Sequence, residues 1–200
     1  KASTKNTIIV VCVILLFALA IALFAYKQIV TSGIVERNTT VMSTENYEVD
    51  ASMMTYFFNT VYQNFAGQYG DYLSSFGLDT SKSLKEQTSM DGTSTWYDYF
   101  MDSAKSQAEQ LLVLCEGAKA AGVELDADDY KAIDDSLATY KETATDYGMT
   151  ANSYVQRIFG TAVKVKDMKK CLELSQLASK YATKMSNDYE ITEDEIKTYF

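Results

Sequence analysis

The sequence predicts an all-α protein, an N-terminal transmembrane helix followed by a multi-helix bundle, and three observations carry that expectation. The run TIIVVCVILLFALAIALFAY, Thr7 to Tyr26, contains no charged residue. At about 1.5 Å per residue such a run can cross a hydrocarbon layer of roughly 30 Å. Downstream, apolar residues recur at steps of three and four, in stretches opened by Ser, Thr or Asp and mostly closed by Gly. No alternating apolar and polar stretch of useful length competes with them, and proline, which would break a helix interior, is absent from all 200 residues.

The uncharged run is read as a signal anchor over residues 1–29. Lys1 and Lys5 precede it and Lys27 follows, so the ammonium groups reach water while the apolar side chains sit in lipid. A cleaved signal peptide is the competing reading, but its apolar core would be shorter, about 7 to 15 residues. Cys12 lies near the start of the run, where a lipid-attachment cysteine would lie at its end. The expected orientation is N-terminus inside, with the rest of the chain extracytoplasmic at the cell membrane. Residues 30–49 are mixed and polar and read as a tether, with a short extended piece near Gly33 to Val35.

Residues 50–200 read as one helical domain. Asp50 and Ser52 suit a helix N-terminus, and Met54, Phe58, Val61, Phe65, Tyr69 and Tyr72 form an apolar stripe. Further aromatics lie off that stripe at Tyr56, Phe57 and Tyr62, so this helix is either deeply buried or presents an adhesive surface. A polar loop from Ser81 to Gly92 is expected to be mobile. Thr95 with Asp98 opens the second helix, whose stripe runs Trp96, Phe100, Ala104, Ala108, Leu111, Cys115 and Ala118 and stops at Gly122. Asp126 with Asp129 opens the third, carrying Tyr130, Ile133, Leu137, Tyr140, Ala144 and Tyr147 before Gly148. Thr150 and Gly160 bound a short fourth helix, and the fifth carries Met168, Cys171, Leu174, Leu177, Ala178, Tyr181 and Met185. A capping box at Thr192 to Glu195 starts a last helix that reaches Phe200, where the chain is expected to be truncated.

Composition narrows the chemistry. The net charge is −9, and setting aside Lys1, Lys5 and Lys27, the only charges before Glu36, takes the remainder to −12. So acidic a surface repels phosphate backbones, and no nucleic-acid partner is expected. Histidine is absent, which removes the usual general base and the commonest zinc ligand. No catalytic residue, metal site or cofactor is expected. Whether the chain belongs to an enzyme stays uncertain. The adjacent carboxylates Asp128-Asp129 and Asp134-Asp135 point about 100° apart on a helix and read as solvated. Cys115 and Cys171 fall on apolar stripes, which favours buried free thiols over a disulfide.

The order of elements, with the segments AKAAGVELDADD, TANSYVQRIFG, VKVKDMKKCLELSQLASKY and ITEDEIKTYF, resembles the SurA-type N-terminal chaperone domain of PrsA-like foldases and membrane-anchored peptidyl-prolyl isomerases of Gram-positive bacteria. The resemblance covers about residues 47–200. It implies a SurA-N-like bundle acting as a membrane-anchored chaperone that holds unfolded or secreted polypeptides. In that family a parvulin isomerase module with active-site histidines normally follows, and this chain has none. The alternatives are the targeting half of such an isomerase, or a non-catalytic helical sensor or scaffold. The expected client surface is Met53, Tyr56, Phe57, Tyr62, Tyr69, Tyr72 and Phe76, because Met and aromatic side chains suit promiscuous apolar contact. Pairing into a homodimer is left open.

Overall fold

The structure, a computed structural model, describes residues 15–28 and 32–188. Residues 15–28 are helical, and Leu15, Leu16, Phe17, Leu19, Ile21, Leu23, Phe24 and Tyr26 stand 56 to 70 % exposed. The start of the expected anchor, residues 7–14, lies outside the described residues, as does the capping box at Thr192. Among the described residues no helix is long and apolar enough to cross a membrane.

The chain then forms α1 (Ile34–Arg37), β1 (Thr40–Ser43), β2 (Glu48–Asp50), α2 (Ala51–Tyr69), 3₁₀ turns at Gly70–Phe76 and Leu84–Glu86, α3 (Trp96–Ala120), α4 (Ala127–Asp146), α5 (Ala151–Phe159) and α6 (Val165–Asp188). The all-α expectation holds for the body of the chain, and the helix ends fall where the caps place them. Thr95 and Asp98, and Asp126 and Asp129, form reciprocal capping boxes at the starts of α3 and α4.

The segment expected to be a tether is folded onto the bundle instead. In place of an extended piece near Gly33 there is the short helix α1, followed by an antiparallel hairpin that pairs Thr40 with Asp50, Met42 with Val49 and Ser43 with Glu48. Hydrophobic burial is the reason: Val49 is fully buried with Met53 and Phe57, and Met42 and Tyr47 pack beside them. Gly33 touches the bundle so closely that a Cβ there would lie 2.5 Å from the Ala162 carbonyl oxygen. Beside it, Arg37 Nη1 donates to the Ala162 carbonyl at 3.0 Å and to Asp167 Oδ2 at 3.3 Å, and Nη2 donates to the Ser32 carbonyl. Asp167 is fully buried, and its Oδ2 also accepts from the Lys164 backbone N–H at 2.9 Å, capping α6.

α2, α3 and α6 pack as the main core. On α3 the alanines 104, 108 and 118 make a narrow stripe that lets the helices approach closely. At Gly117 a Cβ would collide with the Tyr181 ring, so a larger residue there would push that ring of α6 aside. A second cluster joins Val155 and Phe159 of α5 to Val163 and Met168. A third is almost wholly aromatic: Trp96 and Phe100 are fully buried with Leu78 and are ringed by Phe58, Tyr62, Phe65 and Phe76.

The loop from Ser81 to Gly92 is not the loose segment its polar composition suggests. Gln87 is buried, and its side-chain amide donates to the carbonyls of Asp79, Lys82 and Ser83 while accepting from the Asp79 N–H at 2.7 Å. One amide thus satisfies backbone groups of the turn, while Leu84 packs against the aromatic cluster.

Candidate functional site

A cleft of about 470 Å³ with an apolar floor lies between the β-hairpin, the α3–α4 connection and α6. That volume is on the scale of sites that bury a small ligand or a few side chains. Its floor is Met53 of α2, Val123 and Leu125 of the α3–α4 connection, and Leu174 and Leu177 of α6. Tyr47 and Tyr130 flank it, and Glu48, Asp50, Lys119, Glu124, Lys170 and Glu173 stand on its rim.

Each wall is held by polar bonds that follow from the local sequence. The hairpin turn is fastened to α3 by Glu116, which accepts from the Asn46 backbone N–H at 2.7 Å and from its side-chain amide at 2.8 Å. Hydrogen bonds from Thr44 and Asn46 hold the Glu116 carboxyl below its ordinary pKa. Gly122, with φ +65°, turns the chain at the end of α3 so that the Val123 N–H reaches the Ala118 carbonyl at 2.8 Å and the Val123 side chain falls back toward the core. The start of α4 is bolted to α6 by Lys180, which donates to both Asp126 and Asp129, and by Gln176, which donates to Asp129 Oδ1 at 2.8 Å. These bonds, the one from Lys180 foremost, lower the pKa of both carboxyls.

Rim electrostatics are uneven. Asp50 caps α2, accepting from the Met53 N–H at 2.9 Å, and its other oxygen lies 3.8 Å from the Lys170 ammonium. Lys170 is therefore largely matched. Among the described residues Glu48 accepts only from the Thr40 hydroxyl, at 3.0 Å. Among the described residues Glu124 and Glu173 have neither a hydrogen bond nor an ion pair, and Lys119 is the one rim cation without a carboxylate partner. Burial, with Cys115, Glu116 and Glu124 nearby, pushes the Tyr47 phenol above its usual pKa.

Reactive chemistry is thin around this cleft. Cys115 and Cys171 are free and buried, and burial pushes the Cys115 thiol up to about 11 and the Cys171 thiol well above its usual value, so neither is a ready nucleophile at neutral pH. Among the described residues no group of His, Cys, Asp and Glu side chains is placed to hold a metal ion.

The residues expected to form a client surface are mostly occupied elsewhere. Met53 and Phe57 are buried in the main core, because α2 is covered on several sides by the hairpin, α3, α5 and α6. Tyr56 packs on Phe159 at 4.7 Å, Tyr62 stands edge-on to Phe100 at 5.4 Å, and Tyr69 lies between Phe65 and Phe76 at 4.6 and 5.0 Å. Phe76 itself is half-buried, and Tyr72 alone is open, 71 % exposed. Only Met53 of the expected set lines the cleft, and it does so as floor. Tyr47, Glu48, Lys119, Val123, Glu124, Leu125, Lys170 and Glu173 were not singled out by sequence reasoning. Two signals pointed to them: the strand-like residues flanking Glu45-Asn46, and two apolar residues just beyond the helix-ending Gly122.

Comparison of the chain with protein-family models, with curated proteins and with solved structures found no match.

Proposed function

We propose that this chain is a membrane-anchored extracytoplasmic chaperone module that holds unfolded or translocating polypeptides in the cleft without transforming them. The observation that carries the reading is the cleft itself: a floor of half-buried Val123, Leu125 and Leu174 backed by the buried Met53 and Leu177, inside a charged rim. An apolar floor takes up side chains that an unfolded chain exposes, and the methionine and leucines adapt to different shapes at little cost. The charged rim keeps the site soluble when empty. The resemblance to SurA-type chaperone domains supports the same reading from the order of the helices.

The anchor is part of the proposal. Residues 15–28 alone span about 21 Å as a helix, short of a bilayer core; with the uncharged stretch from Thr7 the length suffices. The exposed apolar side chains along 15–26 are what such a segment presents to lipid.

The test is an aggregation assay. The full chain, reconstituted in lipid nanodiscs, is mixed with a chemically denatured secreted protein on dilution. Suppression of light scattering at near-stoichiometric ratio is expected, and loss of that suppression on Leu125→Asn. Scattering indistinguishable from empty nanodiscs would overturn the reading.

A further inference from the structure

The cleft is not charge-neutral, and the imbalance says what it selects. Of its rim carboxylates, Asp50 faces Lys170 at 3.8 Å, whereas among the described residues Glu124 and Glu173 make no hydrogen bond or ion pair, Glu173 lying only in the field of Lys169, and Glu48 has only the Thr40 hydroxyl. The neighbouring acids are already used: Glu116 holds the hairpin turn, and Asp126 and Asp129 hold Lys180. One cation, Lys119, opposes three carboxylates around a floor that is wholly apolar. In an extended chain laid across the cleft the backbone advances about 3.3 Å per residue. With one residue on the floor, the flanking residues lie near the cleft edges, where the long stems of Lys or Arg can bring their charges to the rim.

Resting on the reading of the cleft as a polypeptide site, we infer that it prefers segments in which a large apolar residue is flanked by Lys or Arg, and disfavours the same segments flanked by Asp or Glu. The apolar residue supplies the burial, and the rim carboxylates Glu48, Glu124 and Glu173 supply the sign. These carboxylates lie at the water boundary, so the preference is modest, depends on salt and acts largely on the rate of capture.

The experiment measures fluorescence anisotropy of three labelled peptides that share a central Leu-Phe-Leu and carry flanking Lys, Ser or Glu, titrated with the full chain in uncharged nanodiscs. At low salt the expected order is Lys, then Ser, then Glu, with about a five-fold step between neighbours, collapsing toward equality at on the order of 0.5 M NaCl. The double substitution Glu124→Lys with Glu173→Lys, at positions that bond to nothing, is expected to reverse the order, with helical content by circular dichroism unchanged. Leu125→Asn is expected to weaken all three peptides alike. Equal binding of the three peptides, still lost on Leu125→Asn, would overturn the charge preference and leave the holding site standing. Binding of none, or binding that Leu125→Asn leaves intact, would overturn both.

Discussion

The two ends of this bundle gather apolar side chains of different kinds, to opposite effect. At one end Trp96, Phe100 and Leu78 are sealed under Phe58, Tyr62, Phe65 and Phe76, with Trp96 and Phe100 stacked at 5.4 Å and Phe65 in contact with both. At the other end Val123, Leu125 and Leu174 stay half-buried over the buried Met53 and Leu177, because the hairpin and the Gly122 turn stand apart above them. Aromatic rings close their own gaps by edge-to-face contact. Aliphatic side chains between two polar-fastened walls leave a floor. The contrast locates binding where rigid polar bolts hold a gap open, and stability where rings fill one.

The largest expected effect lies at the sealed end. Trp96→Ala should cost about 4 kcal/mol of stability through the cavity it leaves, read as a lowered urea midpoint, while the surviving folded fraction binds peptide normally. A binding defect larger than the loss of folded protein would blur the contrast between the two ends. Next comes the Arg37 clasp, which fastens the start of the chain to α6. Arg37→Ala strands the buried Asp167 carboxylate, and about 3 kcal/mol is expected to be lost; Arg37→Ala with Asp167→Asn should recover part of it, which a simple loss of packing at Arg37 would not allow.

Smaller effects are expected at the open end. Glu116→Gln keeps shape but gives up the charge that fixes Asn46, so peptide affinity should fall while the cooperative unfolding transition barely moves. An unchanged affinity would mean that the hairpin wall contributes nothing to binding. The cleft should also loosen in acid. Asp126 and Asp129 have folded pKa values below the ordinary 3.8, so their contribution is present above the unfolded value and is lost as pH falls toward the folded ones. Melting temperature should therefore drop below roughly pH 4, and Asp126→Asn with Asp129→Asn should make that slope shallower, leaving the part carried by Glu116, Asp79, Asp91 and Asp98, which are also held below their ordinary values. A slope that the double substitution leaves unchanged would assign it wholly to those other carboxylates.

The helices were legible in the sequence because their signals are local. Thr95 with Asp98, Asp126 with Asp129, and the glycines at 122, 148 and 160 mark helix ends through backbone bonds within a few residues. The cleft was not legible, because its walls meet only in three dimensions: Glu116 finds Asn46 across 70 residues, and Lys180 finds Asp126 across 54. Aromatic density on α2 pointed to an adhesive surface, yet rings dense enough to attract a client also attract one another, as Tyr69 with Phe65 and Tyr62 with Phe100 do. The tether was misread for a related reason. Residues 40–50 are short, polar strands whose only strong instruction is the burial of Val49, and that burial depends on α2 and α6 being in place.

Site-directed photocrosslinking tests the central claim most directly. A benzophenone maleimide is placed at Lys119→Cys on the cleft rim or, in a second protein, at Tyr72→Cys beside the aromatic cluster, in the full chain carrying Cys12→Ser, in nanodiscs with a denatured client present; the native thiols of Cys115 and Cys171 are buried. The expected result is client adducts from position 119 and none above background from position 72. Adducts from position 72, or from neither, would contradict a polypeptide-holding cleft between the hairpin and α6.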